Sequence, residues 1–218
     1  MEFFQQFIDF VLHIDKHLES IVKEYDKATY LILALIIFCE TGLVVTPFLP
    51  GDSLLFAAGA LAGAGLLNLW LLIAILFIAA FLGDNLNFAV GNFIGDKLVN
   101  AKRKFINKDY LDRTHAFYEK HGGKTVILAR FIPIVRTFAP FVAGLGSMAY
   151  KRFLFFCIVG NVIWILIFTF AGYLLGSNEW VKSHFSLVTL GIIGVSVLPV
   201  IIGFDLRLTK LDVNTILY

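Results

Sequence analysis

Five ionisable residues stand inside otherwise apolar sequence: Glu40, Asp52, Asp84, Arg130 and Arg136. Glu40 and Asp52 flank a proline-rich break, Pro47-Phe48-Leu49-Pro50-Gly51-Asp52-Ser53. Arg136 sits in a second break, between Pro133 and Pro140, and Arg130 lies on the half-helix before it. Acids withdrawn from water are groups that can take up and release protons. A guanidinium stays charged and offers a planar fork to a carboxylate or phosphate, so two arginines suit an anion such as a lipid headgroup. Thr137 is the expected helix start after the second break. A helix start presents free N–H groups and a partial positive charge, which also favour an anion. Asp52 occupies the matching break of the other half, where it could pair with Arg136. The five charges could instead form ion pairs that only hold helices together, and breaking such a pair costs about 3–5 kcal/mol. Asp84, beside Asn85 and Asn87, is read as a supporting group, with Pro50, Gly51, Pro133 and Pro140 shaping the breaks.

The elements that must position these residues are membrane elements. The chain has 218 residues, of which 59% are hydrophobic and 16% charged, with a mean hydropathy of +0.83. Soluble domains carry about 25% charge. The net charge of +2 is too small to suggest a nucleic-acid partner. Residues 3–22 have helical apolar spacing with a polar face at Gln6, Asp9, His13, Lys16 and His17, which predicts an interfacial amphipathic helix over 1–24. Apolar segments follow at 28–46, 47–67, 69–94, 125–148, 153–175 and 187–204, with Gly83-Asp84-Asn85 expected to interrupt the third. A polar segment over 95–124 carries eight Lys or Arg and is expected to include a surface helix near 110–121. The whole reads as one membrane domain over 1–210 with a tail at 211–218.

Basic residues decide between topologies. If all six apolar segments crossed, either orientation would leave many of the 18 Lys and Arg outside, against the positive-inside rule. If 47–67 and 125–148 enter and return, four spans remain at 28–46, 69–94, 153–175 and 187–204. Both termini are then cytoplasmic, and only Lys182 lies outside. Broken backbone at membrane depth survives where it is buried in protein or lines a cavity. The halves 28–94 and 125–176 also repeat. Phe48-Leu49-Pro50 and Ala58-Gly59 resemble Phe131-Ile132-Pro133 and Ala143-Gly144, and each half ends in a small-residue motif, Gly91-x-x-x-Gly95 or Gly172-x-x-x-Gly176. The expected fold is therefore an all-α integral membrane protein. It has four transmembrane helices and two opposed re-entrant hairpins in an inverted repeat, an arrangement typical of transporters. The glycine motifs permit a homodimer.

Other features read more simply. Cys39 and Cys157 lie in apolar runs and suggest packing rather than a disulfide. Asn161 suggests a hydrogen bond between helices, and the 23 phenylalanines lipid or core contact. Glu2 and Asp9, without a basic start, argue against a cleaved signal peptide. No phosphate loop, dinucleotide fingerprint, Gly-x-Ser-x-Gly elbow or metal-ligand spacing occurs. No cofactor, metal or catalytic residue is expected, and an enzyme is not indicated.

Three stretches carry a family resemblance. Phe38-Cys39-Glu40-Thr41-Gly42 with Pro47 to Ser53 resembles the first signature of the DedA family of bacterial inner-membrane proteins. Gly83-Asp84 with Gly91 resembles the second. Ala129-Arg130-Phe131-Ile132-Pro133-Ile134-Val135-Arg136-Thr137-Phe138-Ala139-Pro140 with Ala143-Gly144 resembles the third. Phe88 and Asn92 depart from the Tyr and Arg of many members. The resemblance implies kinship with eukaryotic phospholipid scramblases and return of polyprenyl phosphate or phospholipid across the membrane, driven by protons, in support of the cell envelope. It matches the family's important acids to Glu40 and Asp52 and its arginines to Arg130 and Arg136. The expected partners are membrane lipids with an anionic headgroup, and protons. A non-transporting membrane organiser and a membrane enzyme acting on a lipid phosphate are the alternatives.

Overall fold

The computed structural model describes residues 27–43, 51–100, 124–146 and 148–176, with Asn178, Val181, Leu187, Val188 and Gly191. The predicted helix over 1–24, Pro50 with the rest of 44–50, most of the segment 95–124, most of the last span and the tail lie outside the described residues.

The described residues form helices and no strands: α1 (Ala28–Gly42), α2 (Gly51–Gly63), α3 (Leu69–Asn100), α4 (Lys124–Ala129), α5 (Pro133–Leu145) and α6 (Tyr150–Leu175). Among the described residues, two stretches are long and apolar enough to cross a membrane. Leu69–Gly95 has 27 residues and mean hydropathy 2.2, and Tyr150–Leu175 has 26 residues and mean hydropathy 2.5. Only 33% and 39% of these windows is buried within the protein. Trp70, Phe155 and Leu174 are more than half exposed on them. A helix that is apolar on its outer face as well as its inner one is built for lipid rather than water.

Several boundaries differ from the sequence expectation. α3 runs unbroken through Gly83-Asp84-Asn85 and on to Asn100. Gly83 serves a close approach, since a Cβ on Gly42 of α1 would lie 3.1 Å from Gly83 Cα. The second break also sits earlier than expected. Ile132, extended at φ −119° and ψ 107°, caps α5, which starts at Pro133. A residue before proline is pushed toward extended backbone, and proline at the first helical position lacks only an N–H that would be unbonded anyway. Thr137 is therefore one turn inside α5, not at its start. Pro140 lies within α5 and does not end it. It does remove the N–H that would bond the carbonyl of Arg136 four residues back.

The two halves interlock. α2 packs mainly on α6, and α5 mainly on α3, while α1 lies along α3 and α4 along α6. α2 and α5 thus each rest on the long helix of the other half. Glycines make this possible: a Cβ on Gly172 would run into the Phe56 carbonyl of α2, and one on Gly91 into the Phe141 carbonyl of α5. The small-residue motifs are spent inside the chain, so a homodimer would need another face. The main core joins Leu33 and Ile37 of α1, Leu54 and Leu55 of α2, Leu72 and Leu76 of α3 and Trp164 of α6.

Candidate functional site

All five ionisable residues are buried, from Asp84 at 0% to Asp52 at 5% exposure. The structure sorts them into two clusters on either side of one amide. In the first, Arg136 of α5 forks between two acids. Its Nη1 donates to Asp52 Oδ1 and its Nη2 to Glu40 Oε1. Glu40 stands two residues before the end of α1, and Asp52 in the first turn of α2. The three helices converge because α1 ends and α2 begins where α5 crosses them. The pairing of Asp52 with Arg136 across the two breaks is the one the sequence suggested. Asp52 lies inside α2, which already starts at Gly51. Glu40 Oε1 also accepts the Gly51 N–H at 3.3 Å. A Cβ on Gly51 would overlap the Glu40 carboxylate, so only glycine lets this acid reach the start of α2.

The second cluster lies on α3, α4 and α6. Arg130, in the turn after α4, pairs with Asp84. The same Asp84 oxygen accepts from Asn161 Nδ2 at 2.8 Å and from the Cys157 thiol at 3.3 Å. Arg130 is thus not part of the Arg136 grip, as grouping the two arginines in one headgroup site had suggested. The chain's second break places it against α6, where a Cβ on Gly160 would come 3.0 Å from Arg130 Nε. Neither cysteine is in a disulfide, and Cys157 is buried beside its charged neighbours. Asn161 does make the interhelical bond its isolation in a span suggested.

Asn87 ties the clusters together. One turn beyond Asp84 on α3, its amide donates to the Thr41 carbonyl at 3.0 Å and the Thr137 carbonyl at 2.7 Å. Thr41 follows Glu40 and Thr137 follows Arg136, so one side chain fixes the backbone at both ends of the first cluster. The contribution of Thr137 is this carbonyl, within α5, not a free helix-start N–H.

The sequence reading missed Trp164. Its indole N–H donates to Asp52 Oδ1 at 2.8 Å, and its ring centroid lies 4.7 Å from Arg136 Cζ. A signal existed: Cys157, Asn161 and Trp164 recur at helical spacing and form one polar stripe on an otherwise apolar helix.

The arrangement holds unused capacity. Arg136 Nε, Glu40 Oε2, Ser53 Oγ, Asn87 Oδ1, Arg130 Nη1 and Asp84 Oδ1 are buried without a hydrogen-bond partner. Buried polar atoms of this kind ask for water or a ligand. The first cluster has one cation against two acids, a formal charge of −1 when all three are ionised. The second is balanced.

A VTT domain model matches residues 49–174, which includes both clusters except Glu40. The chain is 55% identical over 198 residues to protein DedA of Escherichia coli K12, covering 89% of this chain and 90% of that protein. It is 44% identical over 169 residues to a membrane protein of Mycobacterium leprae, covering 77% and 76%. It is 34% identical over 177 residues to the inner membrane protein YghB of Escherichia coli K12, covering 81% and 78%. No solved structure matches the chain.

Proposed function

The chain belongs to the DedA family of VTT-domain proteins and is a bacterial membrane protein, and on that premise we propose that it is a proton-coupled flippase for lipid phosphates, polyprenyl phosphate or phospholipid, in the inner membrane. The observation that carries this reading is the Arg136 fork, a buried cation of the second half shared by Glu40 and Asp52 of the first. A carboxylate bound to a guanidinium and a helix-start N–H occupies the kind of place a phosphate oxygen takes. Glu40 and Asp52 therefore act as internal stand-ins for the headgroup. A phosphate arriving at Arg136 brings further negative charge to a cluster that already sums to −1. In a medium where unpaired charge is expensive, its entry requires a proton on one of the two acids. Binding and proton uptake are linked by charge balance alone.

In this reading 28–46, 69–94, 153–175 and 187–204 span the membrane, and the halves around the two breaks re-enter from opposite sides. Both termini are cytoplasmic. The exchanging site sits where the two halves interlock, and the acyl or prenyl chain stays in lipid. Arg130 and Asp84, balanced and tied to α6, support the site rather than bind the headgroup.

The test is transport by purified protein in liposomes. A labelled polyprenyl phosphate or phospholipid should cross faster with protein than without, and faster again with an imposed proton gradient. Arg136→Lys should lose most of that activity while remaining folded, because an ammonium cannot serve two acceptors as a planar fork does. Folded wild-type protein that moves neither lipid, together with an Arg136→Ala variant that still complements a deletion strain, would favour the organiser reading.

A further inference from the structure

Arg136 holds two acids, and one headgroup oxygen can take the place of only one of them. The two are not held alike. Asp52 Oδ1 accepts from Arg136 Nη1 and also from the Trp164 indole at 2.8 Å. Glu40 Oε1 accepts from Arg136 Nη2 and, at a longer 3.3 Å, from the Gly51 N–H, while its Oε2 has no partner. Trp164 is fully buried on α6. An indole N–H is a donor only, and inside an apolar site it stays with its acceptor. The ring face also attracts the guanidinium, 4.7 Å away, and covers one side of it. Both contacts hold the Asp52–Arg136 pair, and neither holds Glu40.

Resting on the headgroup reading above, we propose that Trp164 is a positioning residue that fixes Asp52 and Arg136, so that an arriving lipid phosphate displaces Glu40 and not Asp52. The incoming oxygen takes over Arg136 Nη2 and the Gly51 N–H at the start of α2. Asp52 keeps its bonds to Nη1 and to the indole. The step exchanges hydrogen bonds, with no covalent bond made or broken. Glu40, which reaches this place only because residue 51 is glycine, is the acid that moves. The division of labour follows from the fold: α6 passes behind α2 and supports Asp52 at its first turn, whereas Glu40 comes from the end of α1.

The experiment uses full-length protein with Trp70→Phe and Trp180→Phe, which leaves Trp164 as the one remaining tryptophan of the three. Ultraviolet resonance Raman spectroscopy reads the hydrogen bonding of its indole N–H. Without ligand, Asp52→Asn should move the N–H band toward a weaker bond, and Glu40→Gln should leave it in place. A band indifferent to Asp52→Asn overturns the positioning role. Farnesyl phosphate, its binding measured separately by equilibrium dialysis, should leave the band unmoved at saturation. A shift to a free indole means that Asp52 is the acid displaced, and overturns the proposal. Trp164→Phe keeps a ring over Arg136 but no donor, and should weaken farnesyl phosphate binding about tenfold in protein that still folds, at some cost in thermal stability. Unchanged affinity also counts against it. If wild-type protein binds no farnesyl phosphate, the headgroup reading fails, and the ligand-free spectra alone decide the role of Trp164.

Discussion

The two arginines illustrate how the same side chain is put to different use by its partners. Arg130 meets a single acid, Asp84, which Asn161 and Cys157 also contact. Truncating it to Ala leaves that carboxylate buried and uncompensated, and should cost about 3–5 kcal/mol of stability. Removing both charges together, as Arg130→Met with Asp84→Leu, should recover most of this. Unfolding of the purified variants in mixed detergent measures both effects. A double variant no better than the single one would show that the pair does more than balance charge. Gly51 is the residue whose replacement should strike activity through the other pair. A methyl there would overlap the Glu40 carboxylate, so Gly51→Ala should push Glu40 off Arg136. Transport into liposomes should fall at least tenfold, and the loss of the buried Glu40–Arg136 contact should also lower stability, by up to about 3–5 kcal/mol. Wild-type transport by this variant would mean that the contact of Glu40 with the start of α2 is dispensable.

Among the elements, α2 and α5 matter most, because they carry Asp52 and Arg136 and contact the long helices of the other half. That packing has no slack. A side chain at Gly172 would occupy the place of the Phe56 carbonyl on α2. Gly172→Leu should therefore lower stability by about 1–3 kcal/mol, the usual range for overpacking, or more if the helices part. It should also abolish transport, since separating α2 from α6 pulls Asp52 from Trp164. Val90→Leu, on an exposed part of α3, is the matched control and should change neither. Equal effects at the two positions, read by detergent unfolding and liposome transport, would refute the packing argument. The second break rests on proline geometry. Pro133 starts α5 early enough to put Arg136 one turn inside the helix, where a side chain projects sideways toward α1 and α2 rather than along the axis.

At the scale of the whole molecule, the interlocked halves and the basic residues make a claim about sidedness. Residue 100 closes α3 and residue 151 lies in the first turn of α6. The charge distribution predicts that both face the cytoplasm. Single cysteines at Asn100 and Lys151, in protein lacking Cys39 and Cys157, should react with an impermeant thiol reagent only from the cytoplasmic side. Labelling of position 151 from outside would remove the re-entrant second half from the proposed topology.

The sequence by itself determined the class of protein and its charged residues. Apolar runs of membrane length, five charges within them and two proline breaks are local properties, legible without coordinates. The Asp52–Arg136 pair was also legible, because each residue sits at the corresponding break of a repeat. What the tertiary structure decided was partnership. Glu40 joins Arg136, Arg130 turns away to Asp84, Asn87 bridges Thr41 and Thr137, and Trp164 holds Asp52. These contacts join residues up to 112 positions apart, and no periodicity along one helix specifies which faces of two helices meet. The continuity of α3 through Gly83 was hidden for a related reason. Glycine can interrupt a helix or admit a neighbouring one, and only the presence of α1 against that glycine selects the second.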